Sequence, residues 1–263
     1  MTPPDFHDIE IKPVPVDVAY QLVSNHHYSR VMPKLTAVCF GGVIRGELLA
    51  VLTLGWGVRP LHTIKKLFPT LMPPDYWEIG KMCLVDDLPR NSESFFMSKV
   101  MAEVKRLYPK KRVIYTWADG IMGKPGYVYQ AANFYYGGFI WTDTYVTADG
   151  EKVHPRTSKE IIRRSGVEPE RTRPSPAQLH AQHILHYQGK QFRYAYFLRD
   201  EKQLLKGSTV QWRRSDYPKE SDLEWKVQDE KGYWETTTQP IFSGNYSYNN
   251  VREKASAVQG TLF

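Results

Sequence analysis

Val85-Asp86-Asp87-Leu88-Pro89-Arg90-Asn91-Ser92-Glu93-Ser94 is the stretch on which the reading of the fold turns. It follows a β-rich run, Trp77 to Val85, and opens a segment where Phe96, Val100, Met101, Val104 and Leu107 recur at helical spacing. Pro109 ends that helix, and Arg112 to Ala118, with Val113-Ile114-Tyr115-Thr116-Trp117 at its centre, reads as the next strand. The stretch is therefore a strand-to-helix junction. The first turn of a helix leaves backbone N–H groups without partners and carries positive partial charge. Such a turn holds a pyrophosphate, with Arg90 and the hydroxyls of Ser92 and Ser94 as helpers. An ordinary N-cap made by Asn91 or Ser92 is the competing reading.

Toward the N-terminus, Asp8 to Val14 reads as a short strand interrupted by prolines 13 and 15. Asp17 starts a helix with Val18, Leu22 and Val23 behind it, and this helix runs into Asn25-His26-His27-Tyr28-Ser29 before Pro33. Leu35 to Phe40 and Leu48 to Gly55 form a predicted hairpin, its turn supplied by Gly41-Gly42 and Arg45-Gly46. Toward the C-terminus, a second helix is expected over about Gly126 to Tyr136, ending at Gly137-Gly138, then a strand from Phe139 to Thr147. Residues 160–189 are polar and helical in pieces. Gln191 to Leu198 alternates as a strand, and Lys219 to Ser256 reads as a loosely ordered tail.

Composition narrows the class. The 263 residues are 41% hydrophobic and 13% aromatic, enough for a real core. No apolar run approaches the ~18 residues of a membrane span, and Met1 to Phe6 is polar and proline-rich, so we expect no membrane and a cytoplasmic location. Cys39 and Cys83 sit in apolar strand-like runs without Cys-x-x-Cys spacing, and read as buried free thiols. The net charge of +7 is compatible with a polyanion, and basic residues cluster at Lys65-Lys66, Lys110-Lys111-Arg112, Arg163-Arg164, Arg171 to Arg173 and Arg213-Arg214.

Tyr129-Gln130-Ala131-Ala132-Asn133-Phe134-Tyr135-Tyr136-Gly137-Gly138-Phe139 resembles the Ala-x-x-Phe/Leu-Tyr helix and Gly-Phe turn of the GNAT acyltransferases. The finer wording resembles one branch. Asn25-His26-His27-Tyr28-Ser29, Trp77-Glu78-Ile79, Val85 to Ser94, Ala118-Asp119, Tyr129 to Phe134, Val153-His154-Pro155-Arg156 and Phe192 to Leu198 recur, in this order, in the Mom family of phage DNA-modification proteins. The resemblance covers about Val18 to Pro218 and is most specific in Pro-Arg-Asn-Ser-Glu-Ser and Tyr-Gln-Ala-x-Asn. It implies an α+β fold: a GNAT-like mixed, splayed sheet flanked by helices, with parallel central strands Trp77–Val85 and Arg112–Ala118. On this reading residues 1–217 are the catalytic domain, with a helical insertion at about 155–190, and 218–263 are a C-terminal extension.

The resemblance also implies a chemistry: a carbamoylmethyl, or related acyl-derived, group placed on the exocyclic amine of adenine in double-stranded DNA, protecting it from restriction. An acyl-CoA-like donor is expected at Arg90, Asn91, Ser92, Ser94 and Asn133. The amine is a poor nucleophile and needs a base as the bond forms. His27 is the candidate base, Tyr28 and Tyr135 are candidate proton relays, and Asp119 holds the amine or orients His27. A helix C-terminal histidine with only a structural role is the competing reading of His27. His26, His27, Asp119 and His154 are alternatively ligands for iron, although adjacent histidines point apart on a helix. Reaching the amine in a duplex requires a flipped nucleotide. Tyr28, Trp77 and Tyr136 are stacking candidates, and Arg156, Arg163, Arg164 and Arg193 are phosphate contacts. Two other classes stay open: an N-acyltransferase for another amine, such as a hypermodified pyrimidine in phage DNA, and a non-catalytic DNA-binding protein. Finally, Gln259, Leu262 and Phe263 are similar to the Gln-x-x-Leu-Phe peptide that binds a bacterial sliding clamp; a tail folded back on the domain is the alternative.

Overall fold

The computed structural model describes residues 6–27, 31–57, 60–86, 88–153, 163 and 173–243. The chain divides into two compact units, Met1–Trp117 with Gly126–Gly138 and Arg193–Tyr217, and Ala118–Pro125 with Phe139–Phe192 and Pro218–Phe263.

The first unit opens with β1 (Glu10–Val14), α1 (Val16–His26), β2 (Thr36–Ile44) and β3 (Glu47–Gly55). α2 (Pro60–Leu67), β4 (Tyr76–Leu84), α3 (Ser92–Leu107) and β5 (Val113–Asp119) follow. β1 to β4 are antiparallel neighbours in chain order. β4 and β5 are parallel, as a strand–helix–strand crossover requires. Their register runs over Tyr76↔Val113, Trp77↔Ile114 and Glu78↔Tyr115 and stops there, while Ile79 to Leu84 stay paired with β3. The two strands therefore part toward the C-terminal end of β4, as the splayed architecture requires. α3 leaves from that same end.

The turn of the β2–β3 hairpin is tighter than expected. β2 continues through Gly41-Gly42, and the reversal is made by Arg45 (φ 52°) and Gly46 (φ 85°), the two positive values a two-residue hairpin favours. Gly42 pairs with Ala50 in the strand, and a side chain there would run into Ile9 and Phe96. α3 buries Phe96, Met97, Val100, Met101 and Val104, while Leu107, expected on the same face, is exposed. A second core cluster joins Ala19, Leu22 and Val23 of α1 to Val51, Cys39 and Cys83. Both cysteines are free and buried, and burial pushes each thiol up to about 11.

The helix expected over Gly126 to Tyr136 is cut short. α4 spans Tyr127–Ala131, and Asn133 at φ 62° ends it in the left-handed region. β6 (Tyr135–Val146) takes over, so Phe134-Tyr135-Tyr136 enters the sheet rather than a helix. Phe134 is buried between Tyr129 and Tyr196, ring centroids at 5.6 and 5.2 Å. α6 (Glu201–Gly207) closes this unit.

Lys111 is a buried cation in the first unit. Its Nζ donates to Pro74 O at 2.7 Å and Tyr76 O at 3.3 Å, and lies 4.1 Å from the Trp77 ring centroid. Burial pushes the ammonium down to about 8. Between that value and the ordinary lysine range the unfolded chain binds more protons, so this contribution to stability rises with pH. The difference in unfolding free energy between the wild type and Lys111→Met, from urea melts, should grow from about pH 8 to about pH 9.5. A constant difference would mean that the lysine is not desolvated.

In the second unit, β7 (Lys152–Val153) pairs with the end of β6, and α5 (Pro176–Ala181) begins with a capping box between Ser175 and Gln178. β8 (Leu185–Phe197) starts six residues before the expected Gln191. The expected loose tail instead carries β9 (Trp225–Gln228) and β10 (Trp234–Thr237), an antiparallel hairpin whose first strand pairs with His186 to Gly189 of β8. The polar composition hid it, because a short strand held by a distant partner needs little hydrophobicity of its own. Asp143 binds His186 Nε2 at 3.1 Å, Gln188 at 2.9 Å and Arg173 at 3.0 Å; these, His186 foremost, hold its carboxyl at about 2 against the opposing effect of burial. No described helix is long and apolar enough to cross a membrane. Tyr28, His154, Arg156, Arg164, Gln259, Leu262 and Phe263 lie outside the described residues.

Candidate active site

The junction that opens the sequence reading is built as an open helix N-terminus. Asn91 stands at the N-cap of α3 with φ 72° and makes no side-chain cap. Ser92 Oγ donates to Pro89 O at 2.6 Å and Ser94 Oγ to Asn91 O at 3.1 Å, so neither hydroxyl folds back to cap the turn. The ordinary cap is thus absent, and no described group accepts from the first-turn N–H groups of Glu93 and Ser94. Pro89, Arg90, Asn91, Ser92 and Ser94, with Phe6, His7 and Ala131, line a pocket of about 550 Å³. An adjoining pocket of about 520 Å³ continues past Arg90 and Asn91 to Tyr127 and Val128 of α4. Arg90, open N–H groups and hydroxyls around a pocket of this size suit a phosphate-bearing group. Asn133 is the residue that terminates α4.

The proton-transfer candidates are more scattered. His27 is the C-cap of α1, its N–H bonded to Val23 O, in the first unit. Its neighbour His26 places Nδ1 3.2 Å from Asp86 Oδ2. Tyr135 donates its hydroxyl proton to Glu201 Oε1 at 2.6 Å, with the Arg214 guanidinium 4.2 Å from its ring centroid. Asp119 belongs to the second unit, where Lys152 Nζ lies 3.3 Å away. Among the described residues no three histidine, cysteine or acidic side chains converge to hold a metal. The iron set does not fit what is described: His26 is turned onto Asp86 and Asp119 onto Lys152.

Two expected stacking residues are core aromatics: Trp77, edge-on to Tyr108 at 4.7 Å, and Tyr136, tilted against Tyr194 at 5.8 Å. Arg163 is exposed, whereas Arg193 is half-buried on β8 beside Tyr115 and Gly138. Tyr129 and Gln130, from the Tyr-Gln-Ala-x-Asn block, point inward, Tyr129 to Thr116 Oγ1 at 3.3 Å and Gln130 to the Tyr194 hydroxyl at 3.1 Å.

One group lies in a block quoted in the sequence reading, Trp77-Glu78-Ile79, but is given no role there. Glu78 sits in the last β4–β5 register pair before the strands part, beside a recess of about 180 Å³ lined by Thr53, Gly55, Trp56, Gly57 and Gly80 among others. Its carboxyl is pushed up by burial, against the lowering effect of hydrogen bonds from Tyr76 and the Gly57 N–H. The available signal was an acid inside a strand between Trp77 and Ile79.

Fold and site together define a class: a mixed-sheet α+β protein with a parted parallel strand pair and an anion-receptive helix N-terminus at the same end of the sheet. Within that class, residues 8–219 match the Mom protein family, and the chain belongs to it. The methylcarbamoylase mom of Escherichia phage Mu is 30% identical over 156 residues, which is 59% of this chain and 64% of that relative, so the match spans less than two thirds of its length. Solved structures with some likeness include an N-acetyltransferase from Staphylococcus aureus Mu50, at 11% identity and TM-score 0.37 over 72% of this chain and 97% of that one. A Bacillus subtilis acetyltransferase in complex with CoA gives 13% identity and TM-score 0.37 over 73% and 100%.

Proposed function

We propose that this protein is a phage-type DNA base-modification transferase. It attaches a carbamoylmethyl, or related acyl-derived, group to the exocyclic amine of adenine in DNA and so shields the DNA from restriction. The observation that carries the reading is membership of the Mom family over residues 8–219, supported by a relative whose name is methylcarbamoylase. The open α3 N-terminus supplies the place for a phosphate-bearing donor: Arg90 and the Glu93 and Ser94 N–H groups bind its anionic part, and the Ser92 and Ser94 hydroxyls line the pocket. An acyl-CoA-like donor held there would pass its carbonyl carbon to the amine and leave an acyl-derived amide, whereas a carbamoylmethyl group requires a donor whose methylene carbon carries the leaving group. The parted strands β4 and β5 then offer the opening in which the amine meets the donor.

A DNA partner fits the charge. The whole basic surplus falls in the first unit, since acidic and basic residues balance in the second. Lys65, Lys66, Lys105, Arg106, Arg213 and Arg214 are exposed on it, where they can meet phosphates. The base must be turned out of the stack for its amine to enter an opening inside the sheet.

The test is direct. DNA from cells expressing the protein is digested to nucleosides and weighed by mass spectrometry. A deoxyadenosine heavier by a carbamoylmethyl group is the expected result. An altered pyrimidine would move the activity to another amine, and an unaltered nucleoside profile would leave DNA binding without catalysis.

A further inference from the structure

Resting on that reading, we infer that Glu78 contacts the acceptor amine in the recess it lines, at the point where β4 and β5 part, and takes its proton as the new bond forms. Three observations carry this. First, Glu78 pairs with Tyr115 at the last register position before β4 and β5 diverge, so it stands at the apex of the opening. The recess at its side, about 180 Å³, has room for roughly six waters at about 30 Å³ each, the scale of one flat heterocycle.

Second, the site is shaped to the carboxylate. Gly57 N–H donates to it, and a side chain at Gly57 would place its first carbon 2.7 Å from Glu78 Oε2. Among the described residues no lysine or arginine pairs with Glu78. A half-buried carboxylate is an expensive group to keep for packing alone.

Third, the surroundings accept both of its protonation states. Tyr76 has a single hydroxyl proton and two acceptors, Pro60 O at 3.0 Å and Glu78 Oε1 at 3.2 Å. With Glu78 ionised, Tyr76 donates to the carboxylate. With Glu78 protonated, the acid donates to the Tyr76 oxygen and Tyr76 donates to Pro60 O. The bond between the two side chains is kept in both states, its direction reversed, which suits a group that gains and loses a proton in each turnover.

The step balances without another reagent. An N–H bond of the amine breaks and its proton passes to a Glu78 carboxylate oxygen. The nitrogen lone pair forms the bond to the donor's electrophilic carbon. The bond from that carbon to its leaving group breaks, and the leaving group departs with the electron pair. Among the described residues, the other titratable and charged groups around Glu78 are Tyr76 on its own strand, Tyr115 on β5 and, beyond Tyr115, Arg193 on β8. Ionisation of Glu78 should therefore produce a rising limb of rate with pH, placed above the ordinary carboxylate range.

The experiment uses plasmid DNA incubated in extracts of cells expressing the full chain, buffered across about pH 5 to 9, with modified nucleoside counted by mass spectrometry. Glu78→Gln keeps an acceptor for Gly57 and Tyr76, so its melting temperature should match the wild type. Its rate should fall about 10²- to 10⁴-fold, and the rising limb should vanish. In His27→Gln the limb should persist. A Glu78→Gln protein at wild-type rate, or a limb lost in His27→Gln and kept in Glu78→Gln, would overturn the inference while leaving the transferase reading intact. A wild-type extract that modifies no base would overturn both.

Discussion

Arg90→Glu should abolish most base modification while leaving the protein as stable as before, or slightly more so. The two halves of this result have opposite signs for one reason. A carboxylate beside a helix N-terminus interacts favourably with the exposed N–H groups, by about 0.3–1 kcal/mol. The same carboxylate repels the anionic part of a donor. It also removes a charge-assisted hydrogen bond of about 1.5–3 kcal/mol, one to two powers of ten in affinity. Ser92→Ala is less clean, since it deletes the 2.6 Å bond from Ser92 Oγ to Pro89 O in a buried position. Modified nucleoside from expressing cells and a thermal melt of the purified variant give both readings. Full modification by Arg90→Glu would show that α3 is only a helix with an unusual start.

Phe134→Ala should be lost as a folded protein before its chemistry can be asked about. Phe134 is fully buried, against Tyr129 and Tyr196, and its backbone oxygen accepts the Tyr217 hydroxyl at 2.6 Å. Truncating a buried phenylalanine costs about 3–5 kcal/mol through lost transfer energy and the cavity left behind. Single domains hold only about 5–15 kcal/mol in total, so expression and denaturant midpoint should both drop. Phe134→Leu, which keeps most of the volume, should retain both the fold and modification. A well-folded Phe134→Ala protein without activity would instead place the ring at the reaction.

Much of the first unit was legible residue by residue. The spacing of Phe96, Val100, Met101 and Val104 dictated α3, the apolar runs around Cys39 and Cys83 dictated buried strands, and Pro89 to Ser94 marked the junction between strand and helix. These readings hold because helical and strand periodicity are properties of consecutive residues, and burial follows one face of each element. The ordered motifs also sufficed to place the chain in the Mom family.

What tertiary structure alone decided involves partners far apart in the chain. No local pattern says that β4 and β5 stop pairing after Glu78 and Tyr115, because register is set by how two strands are each held by other neighbours. Nor does composition announce the β9–β10 hairpin, whose polar residues form strands because β8 offers them an edge. Asn133 looks like one more helical residue until its backbone turns left-handed and hands Tyr135 to the sheet. Glu78 belongs to a recurring block but has no readable role until Tyr76, Gly57 and the recess beside it gather around the carboxylate. The sequence by itself determined which elements form and which of their faces are apolar, since those depend on neighbours a few residues away. Where strands part, and which polar groups the parting leaves beside one another, depends on packing among segments tens of residues apart.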